Sequence, residues 1–148
     1  MKMGAIVANA SKSDQEDIYS FGRLLGIAFQ LQDDYLDAFG DPKTFGKQVG
    51  GDIIENKKTY LYLKALETLN DKEKAELTSL FSSVLEDNTF KIERAKQLFK
   101  SSGSAEATQE AIKKYTNDAY KVLENLSISE NKKEQLKDFG HALMKRTV

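Results

Sequence analysis

The chain has 148 residues, which suits one domain with one core, and its 40% apolar and 30% charged residues are ordinary for a globular protein. Its net charge of −1 provides no basic excess to neutralise phosphates, which argues against a nucleic-acid partner. Without cysteine it has neither disulfides nor thiolate chemistry. The longest apolar run, from Leu24 to Phe29, is far below the ~20 residues of a membrane span, so we expect a cytoplasmic protein without one.

Helical signals begin at the first residues. Residues 2–9 have the pattern of the last turns of a helix. Ser13 and Glu16 form a capping box, with a hydroxyl at the cap and a carboxylate three residues later. This box predicts a long helix from Asp14 to Phe39, and Gly40 is a natural residue for its C-terminal stop.

The connection from Gly40 to Lys58 is long for a compact domain, and such connections are usually functional or disordered. We expect a short helical turn over 42–45 within it. Beyond it, caps and apolar spacings of three and four residues predict five more helices. The cap and spacing residues are Thr59; Asn70, Leu77, Leu80, Phe81, Val84 and Leu85; Ile92, Ala95 and Phe99; Thr108, Ile112, Tyr115, Ala119, Val122 and Leu126; and Ser129, Leu136, Phe139, Gly140, Leu143 and Met144.

The sequence contains no alternating strand pattern, no repeat and no linker. We therefore predict an all-α helical bundle that forms a single helical domain over 1–148.

Three carboxylates lie near the end of the long predicted helix. Asp33 and Asp37 are four residues apart and project from one face, and Asp34 lies about a quarter-turn away. Like charges this close repel, so either water solvates them or a cation offsets the repulsion. Mg²⁺ is usually held by one or two carboxylates plus substrate phosphates, which suits this cluster. Taken alone the motif is weak, because most charge runs are solvated surface.

The connection after the acidic helix adds groups that bind anions. Three glycines and three lysines lie between Gly46 and Lys58. Backbone N–H groups of glycine-rich turns bind phosphate, and a lysine ammonium is a mobile charge that does the same. Carboxylates that could hold a metal, followed by groups that could hold an anion, predict a metal-plus-phosphate site.

The combined pattern resembles the second aspartate-rich region of the trans-prenyl diphosphate synthases, the family that includes farnesyl and geranylgeranyl diphosphate synthases. The resemblance covers the whole chain, weakly beyond residue 59, and begins partway through the family's sequence, so that the family's first aspartate-rich motif is absent from the 148 residues. The residues that carry it are Phe29, Gln30, Asp33, Asp34, Asp37, Gly46, Lys47, Gly50, Asp52, Lys57 and Thr59.

This resemblance implies the C-terminal part of the isoprenoid synthase fold and a Mg²⁺-dependent prenyltransferase. In that reaction the allylic diphosphate ionises, and the double bond of isopentenyl diphosphate attacks the resulting cation. Magnesium and lysines stabilise the departing diphosphate. With one of the family's two aspartate-rich motifs, the chain is expected to be inactive alone and to form a homo-oligomer through apolar faces.

The resemblance also assigns roles to individual residues. Asp33, Asp34 and Asp37 match the metal-binding triplet, with Asp33 favoured as a direct ligand and Asp34 able to act through water. Lys47 matches a lysine that contacts the allylic diphosphate.

Three further residues are assigned to substrate binding. Gln30 could orient a carboxylate or a metal-bound water, or simply pack as a polar residue between helices. Phe29 is expected to line the cavity or the core. Lys57 could pair with Asp52 or with an aspartate of the triplet and order the connection. The alternative to an enzyme is a non-catalytic helical module or subunit that binds metal and partners.

Overall fold

The computed structural model describes residues 1–41, 49–82 and 87–145, and in these ranges all regular structure is helical. The all-α prediction is therefore confirmed. None of the helices in these ranges is long and apolar enough to cross a membrane. The turn expected over 42–45 lies outside the described residues, as do Val84 and Leu85. The helices are α1 (Lys2–Val7), α2 (Lys12–Phe39), α3 (Gly51–Ile54), α4 (Tyr60–Thr68), α5 (Asp71–Leu80), α6 (Asn88–Ser101), α7 (Ser104–Asn125) and α8 (Glu130–Met144).

The described residues divide into two compact units. The first unit comprises 1–30 and 111–145, and the second comprises Leu31–Glu110. One boundary falls within α2 and the other within α7. The single helical domain over 1–148 remains a prediction.

In the first unit, α2 begins two residues earlier than the sequence predicts. The capping hydroxyl belongs to Ser11, whose Oγ accepts a hydrogen bond from the Asp14 backbone N–H at 3.1 Å and donates one to Asp14 Oδ2 at 2.7 Å. The Ser13–Glu16 capping box was therefore wrong, because Ser13 lies inside the first turn. The other carboxylate oxygen of Asp14 accepts a hydrogen bond from the Ser127 backbone N–H, which ties the α7–α8 connection to the start of α2.

The core of the first unit lies between α2, α7 and α8. Gly140 on α8 is buried, and a Cβ there would approach the hydroxyl oxygen of Tyr120 to 2.8 Å, so only glycine permits this approach of α8 to α7. The fully or nearly fully buried apolar residues of this core are Phe21, Leu25, Ala119, Leu123 and Leu126.

In the second unit, an effective cap starts α5. Asn70 Oδ1 accepts a hydrogen bond from the Glu73 backbone N–H at 3.0 Å, and Asn70 Nδ2 donates one to Glu73 Oε2. This reciprocal arrangement satisfies a backbone donor that the first turn would otherwise leave unpaired. The predicted cap at Asn70 is confirmed, and α5 ends at Leu80 with Phe81 as its C-cap.

Three aromatic rings lie at the centre of the second core. Tyr62 and Phe81 have ring centroids 4.7 Å apart, and Phe81 and Phe99 are 6.2 Å apart. Aromatic pairs at these separations are favourable beyond the area that they bury. This core joins α4, α5 and α6 and holds Ile53 of α3 against them, which fixes the position of α3.

Candidate functional site

The acidic end of α2 is paired with a lysine from the segment after α3. Lys57 Nζ donates hydrogen bonds to Asp34 Oδ1 at 3.0 Å and to Asp52 Oδ2 at 2.9 Å. The Asp34 side chain is only 9% exposed, whereas that of Lys57 is 46% exposed. Partial burial alone would lower the pKa of Lys57, but the hydrogen bonds and charges of the two carboxylates outweigh it and raise the pKa. The ammonium is therefore held as a cation at the edge of the acidic cluster.

Asp37 is bonded to the start of α3. Its Oδ2 accepts a hydrogen bond from the Asp52 backbone N–H at 2.9 Å, and its backbone carbonyl accepts one from Gly50 N–H at 2.6 Å. Burial is the largest influence on this carboxyl and raises its pKa, although hydrogen bonds from the α3 backbone oppose that effect. Asp37 therefore carries a partly desolvated carboxylate that a nearby cation would stabilise.

Asp33 occupies a different setting. It is partly buried, and among the described residues its carboxylate forms no hydrogen bond or ion pair. Asp34 and Asp37 are therefore engaged by the chain itself, while Asp33 keeps its oxygen atoms available. This difference fits the expectation that Asp33 is the direct metal ligand of the three, which remains a prediction.

The segment from Gly50 to Lys57 follows an unusual backbone path. Gly50 has φ +86°, and a Cβ there would come within 2.7 Å of the Ile92 side chain on α6. Asn56 also lies in the left-handed region, with φ 59°. Glycine and asparagine are the residues that adopt this region most readily. No helix was predicted here, but this part of the connection contains α3 and is hydrogen-bonded to Asp37 of α2.

Substituting Gly50 should destabilise the fold. In Gly50→Ala the new methyl group both disfavours the left-handed backbone and collides with Ile92, so we expect a loss of about 1–3 kcal/mol in unfolding free energy. The matched control is Gly26→Ala, where a Cβ would meet no atom within 4 Å in the middle of a helix. That change should instead stabilise the chain by about 0.5–1 kcal/mol. Urea unfolding of both variants measures the difference, and equal effects would contradict it.

The structure says less about the three other predicted site residues, which are Lys47, Phe29 and Gln30. Lys47 lies outside the described residues, so its contact with diphosphate remains a prediction. Phe29 is half-buried and Gln30 is exposed, and both belong to the part of α2 in the first unit. Their roles in substrate binding remain predictions as well.

Asn56 and Lys91 lie near the site and were given no role from the sequence, and Asp52 was given one only as an alternative. Asp52 lies within the recognised pattern, but its pairing with Lys57 was only one of two options. The identity of Asn56 could have indicated its conformation, since asparagine tolerates left-handed backbone. Lys91 carries a clearer signal: it lies four and seven residues before Ala95 and Leu98, and all three are buried on one stripe of α6.

The donor set suits a metal that is shared with a phosphate ligand. Within the described residues, no three carboxylates or imidazoles are close enough together to form a complete metal cluster. Magnesium generally takes one or two protein carboxylates and fills its other positions with water and substrate oxygens. Asp33 and Asp37 could supply those carboxylates, and Lys57 could supply positive charge for the phosphate.

Comparisons with known proteins identify the family of this chain. The family model described as polyprenyl synthetase matches residues 1–101. A short chain isoprenyl diphosphate synthase of Methanothermobacter thermautotrophicus is 42% identical over 82 residues, which are 55% of this chain and 25% of that protein.

Two solved structures are similar over nearly the whole chain. A geranylgeranyl pyrophosphate synthase is 50% identical with a TM-score of 0.87, over 99% of this chain and 46% of the other. A polyprenyl synthase from Caulobacter crescentus, complexed with calcium and isoprenyl diphosphate, is 28% identical with a TM-score of 0.83, over 99% and 44%. The chain thus spans less than half the length of each of these relatives. The chain belongs to the polyprenyl synthetase family.

Proposed function

We propose that this chain supplies the second aspartate-rich half of a prenyltransferase site. That site condenses an allylic diphosphate with isopentenyl diphosphate and uses Mg²⁺. The observation that carries the proposal is the acid–base cluster at the end of α2, where Lys57 bridges Asp34 and Asp52 beside Asp37. Carboxylates with one cation beside them suit a ligand that brings both a divalent metal and a polyanion.

The residues divide the task between metal and anion. Asp33 and Asp37 would hold magnesium, and Asp34 would contribute through water or directly. Bound there, the metal would supply positive charge to the oxygen atoms of the leaving diphosphate. Lys57, and Lys47 by its match to the family pattern, would add positive charge beside the diphosphate. Its attraction to the diphosphate oxygens grows as the allylic carbon–oxygen bond breaks and negative charge develops on them. Phe29 and Gln30 would line the substrate side of α2.

Magnesium should bind weakly alone and more tightly with inorganic pyrophosphate, because phosphate oxygens complete its coordination. The test is calorimetric titration of magnesium with and without pyrophosphate, on wild type and on Asp33→Asn. We expect the variant to lose the pyrophosphate-dependent heat without loss of thermal stability, because its carboxylate has no partner in the described residues.

Asp17→Asn is the matched control, because Asp17 lies on the same helix, is partly buried, and likewise forms no ion pair or side-chain hydrogen bond with a described residue. It should titrate like wild type. Equal and negligible heats in wild type and Asp33→Asn would remove the metal site from the account.

The proposal includes self-association of the chain. Several large apolar side chains of the first unit are exposed, including Met3 at 79%, Val7 at 83% and Ile6 at 49%. A cavity of about 440 Å³ in the same unit is lined by α2 residues Gly22 and Gly26. Exposed apolar surface of this kind promotes association, which supports a homo-oligomer.

A further inference from the structure

Helix α6 contacts the segment from Gly50 to Lys57 near both of its ends. At the start of the segment, the Ile92 side chain packs against Gly50, where even a Cβ would collide. At the other end, Lys91 Nζ donates hydrogen bonds to Asn56 Oδ1 at 2.6 Å and to the Ile54 backbone carbonyl at 3.3 Å. Two adjacent residues of one helix therefore fix the segment from Gly50 to Asn56.

Lys91 is an unusual residue for this position. It is 1% exposed, and lysine is almost never fully buried unless it is paired. Burial lowers the pKa of Lys91, so the chain loses solvation energy by keeping an amine there. A leucine or methionine would fill the same stripe without that loss. Among the described residues, the amine donates hydrogen bonds to the oxygen atoms of Ile54 and Asn56, which an apolar side chain could not do.

These contacts lead directly to the candidate site. Asn56 is held in left-handed backbone and is followed at once by Lys57, so the anchored side chain sets where the next residue points. Lys57 then reaches Asp34 and Asp52 at 3.0 and 2.9 Å. We propose that Lys91 is a positioning residue, which through Asn56 holds the Lys57 ammonium beside the acidic cluster for binding of magnesium and diphosphate. This inference rests on the proposed function.

The binding test uses Lys91→Met, which keeps an unbranched apolar side chain one atom shorter and removes the donor. Its affinity for pyrophosphate in the presence of magnesium should fall about tenfold, as is usual when a group that orients a ligand is removed. In a Lys57→Met background the same change should cause no further loss, because Lys91 acts through Lys57. The control is Lys96→Met on the same helix, which removes only a surface pair with Glu93 and should bind like wild type.

A spectroscopic test is independent of ligand binding. Ammonium groups held by carboxylates give detectable proton–nitrogen correlations, so wild type should show a Lys57 signal that Lys91→Met loses. If Lys91→Met fails to fold, Asn56→Gly serves instead, because it removes the acceptor and keeps the left-handed backbone accessible. An unchanged Lys57 signal in a folded variant would overturn the inference, as would additive losses in the double variant. Unchanged binding in Lys57→Met alone would overturn the proposed function, while the Lys57 signal would still decide the role of Lys91.

Discussion

The 148-residue chain on its own should give no measurable prenyl transfer. It supplies one aspartate triplet, whereas the family resemblance implies a cavity between two aspartate-rich helices that hold the diphosphate from both sides. Loss of oriented charge on one side should remove about 4 kcal/mol of transition-state stabilisation, which corresponds to about a thousandfold or more in rate. The measurement is incorporation of radiolabelled isopentenyl diphosphate with an allylic primer and magnesium.

A full-length family member under the same conditions is the positive control for this assay. Calorimetry on the same preparation shows whether the chain still binds magnesium with pyrophosphate, which separates a folded but inactive chain from an unfolded one. Turnover at rates ordinary for the family would show that the second motif is sufficient for catalysis and would contradict the account.

Replacing Lys57 by methionine should change two affinities in opposite directions. Magnesium alone should bind about tenfold more tightly in Lys57→Met, because the variant lacks the ammonium that occupies Asp34 and repels a second cation. Magnesium with pyrophosphate should bind about tenfold more weakly, because the anion loses a charge-assisted hydrogen bond. Paired calorimetric titrations with and without pyrophosphate measure both changes.

The control for Lys57→Met is Lys64→Met, which removes an equal charge from a surface pair with Glu67 on α4. It should leave both affinities near the wild-type values. If Lys57→Met shifts the two affinities in the same direction, the change reflects net charge or folding, and Lys57 has no separate role toward the anion.

Much of the helical pattern could be predicted because local chemistry decides it. Gly40 follows the last residue of α2, and Asn70 caps α5 through Glu73 as its sequence position suggests. The acidic triplet was also evident, since three carboxylates so close together need either water or a cation. These features depend on neighbours within one or two helical turns.

Other features depend on contacts that the local sequence does not contain. Ser11 and Ser13 each precede a carboxylate by three residues, so the local sequence allows either one to cap α2. The hydrogen bond from Ser127 N–H in the α7–α8 connection to Asp14 favours the start at Ser11. The short helix α3 was not predicted, because it depends on contacts with α6 and α2. Lys91 was overlooked because a charged residue is expected at the surface, although its spacing placed it on the buried stripe of α6.

The acidic end of α2 should hold a divalent metal together with a diphosphate. Crystals of the chain grown with manganese and pyrophosphate test it directly, because manganese scatters anomalously and occupies magnesium sites. We predict an anomalous peak within bonding distance of the Asp33 and Asp37 carboxylates, with pyrophosphate oxygens on the same ion and the Lys57 ammonium beside them. Pyrophosphate-dependent manganese bound elsewhere on the chain, with no ion within bonding distance of the Asp33 and Asp37 carboxylates, would contradict it.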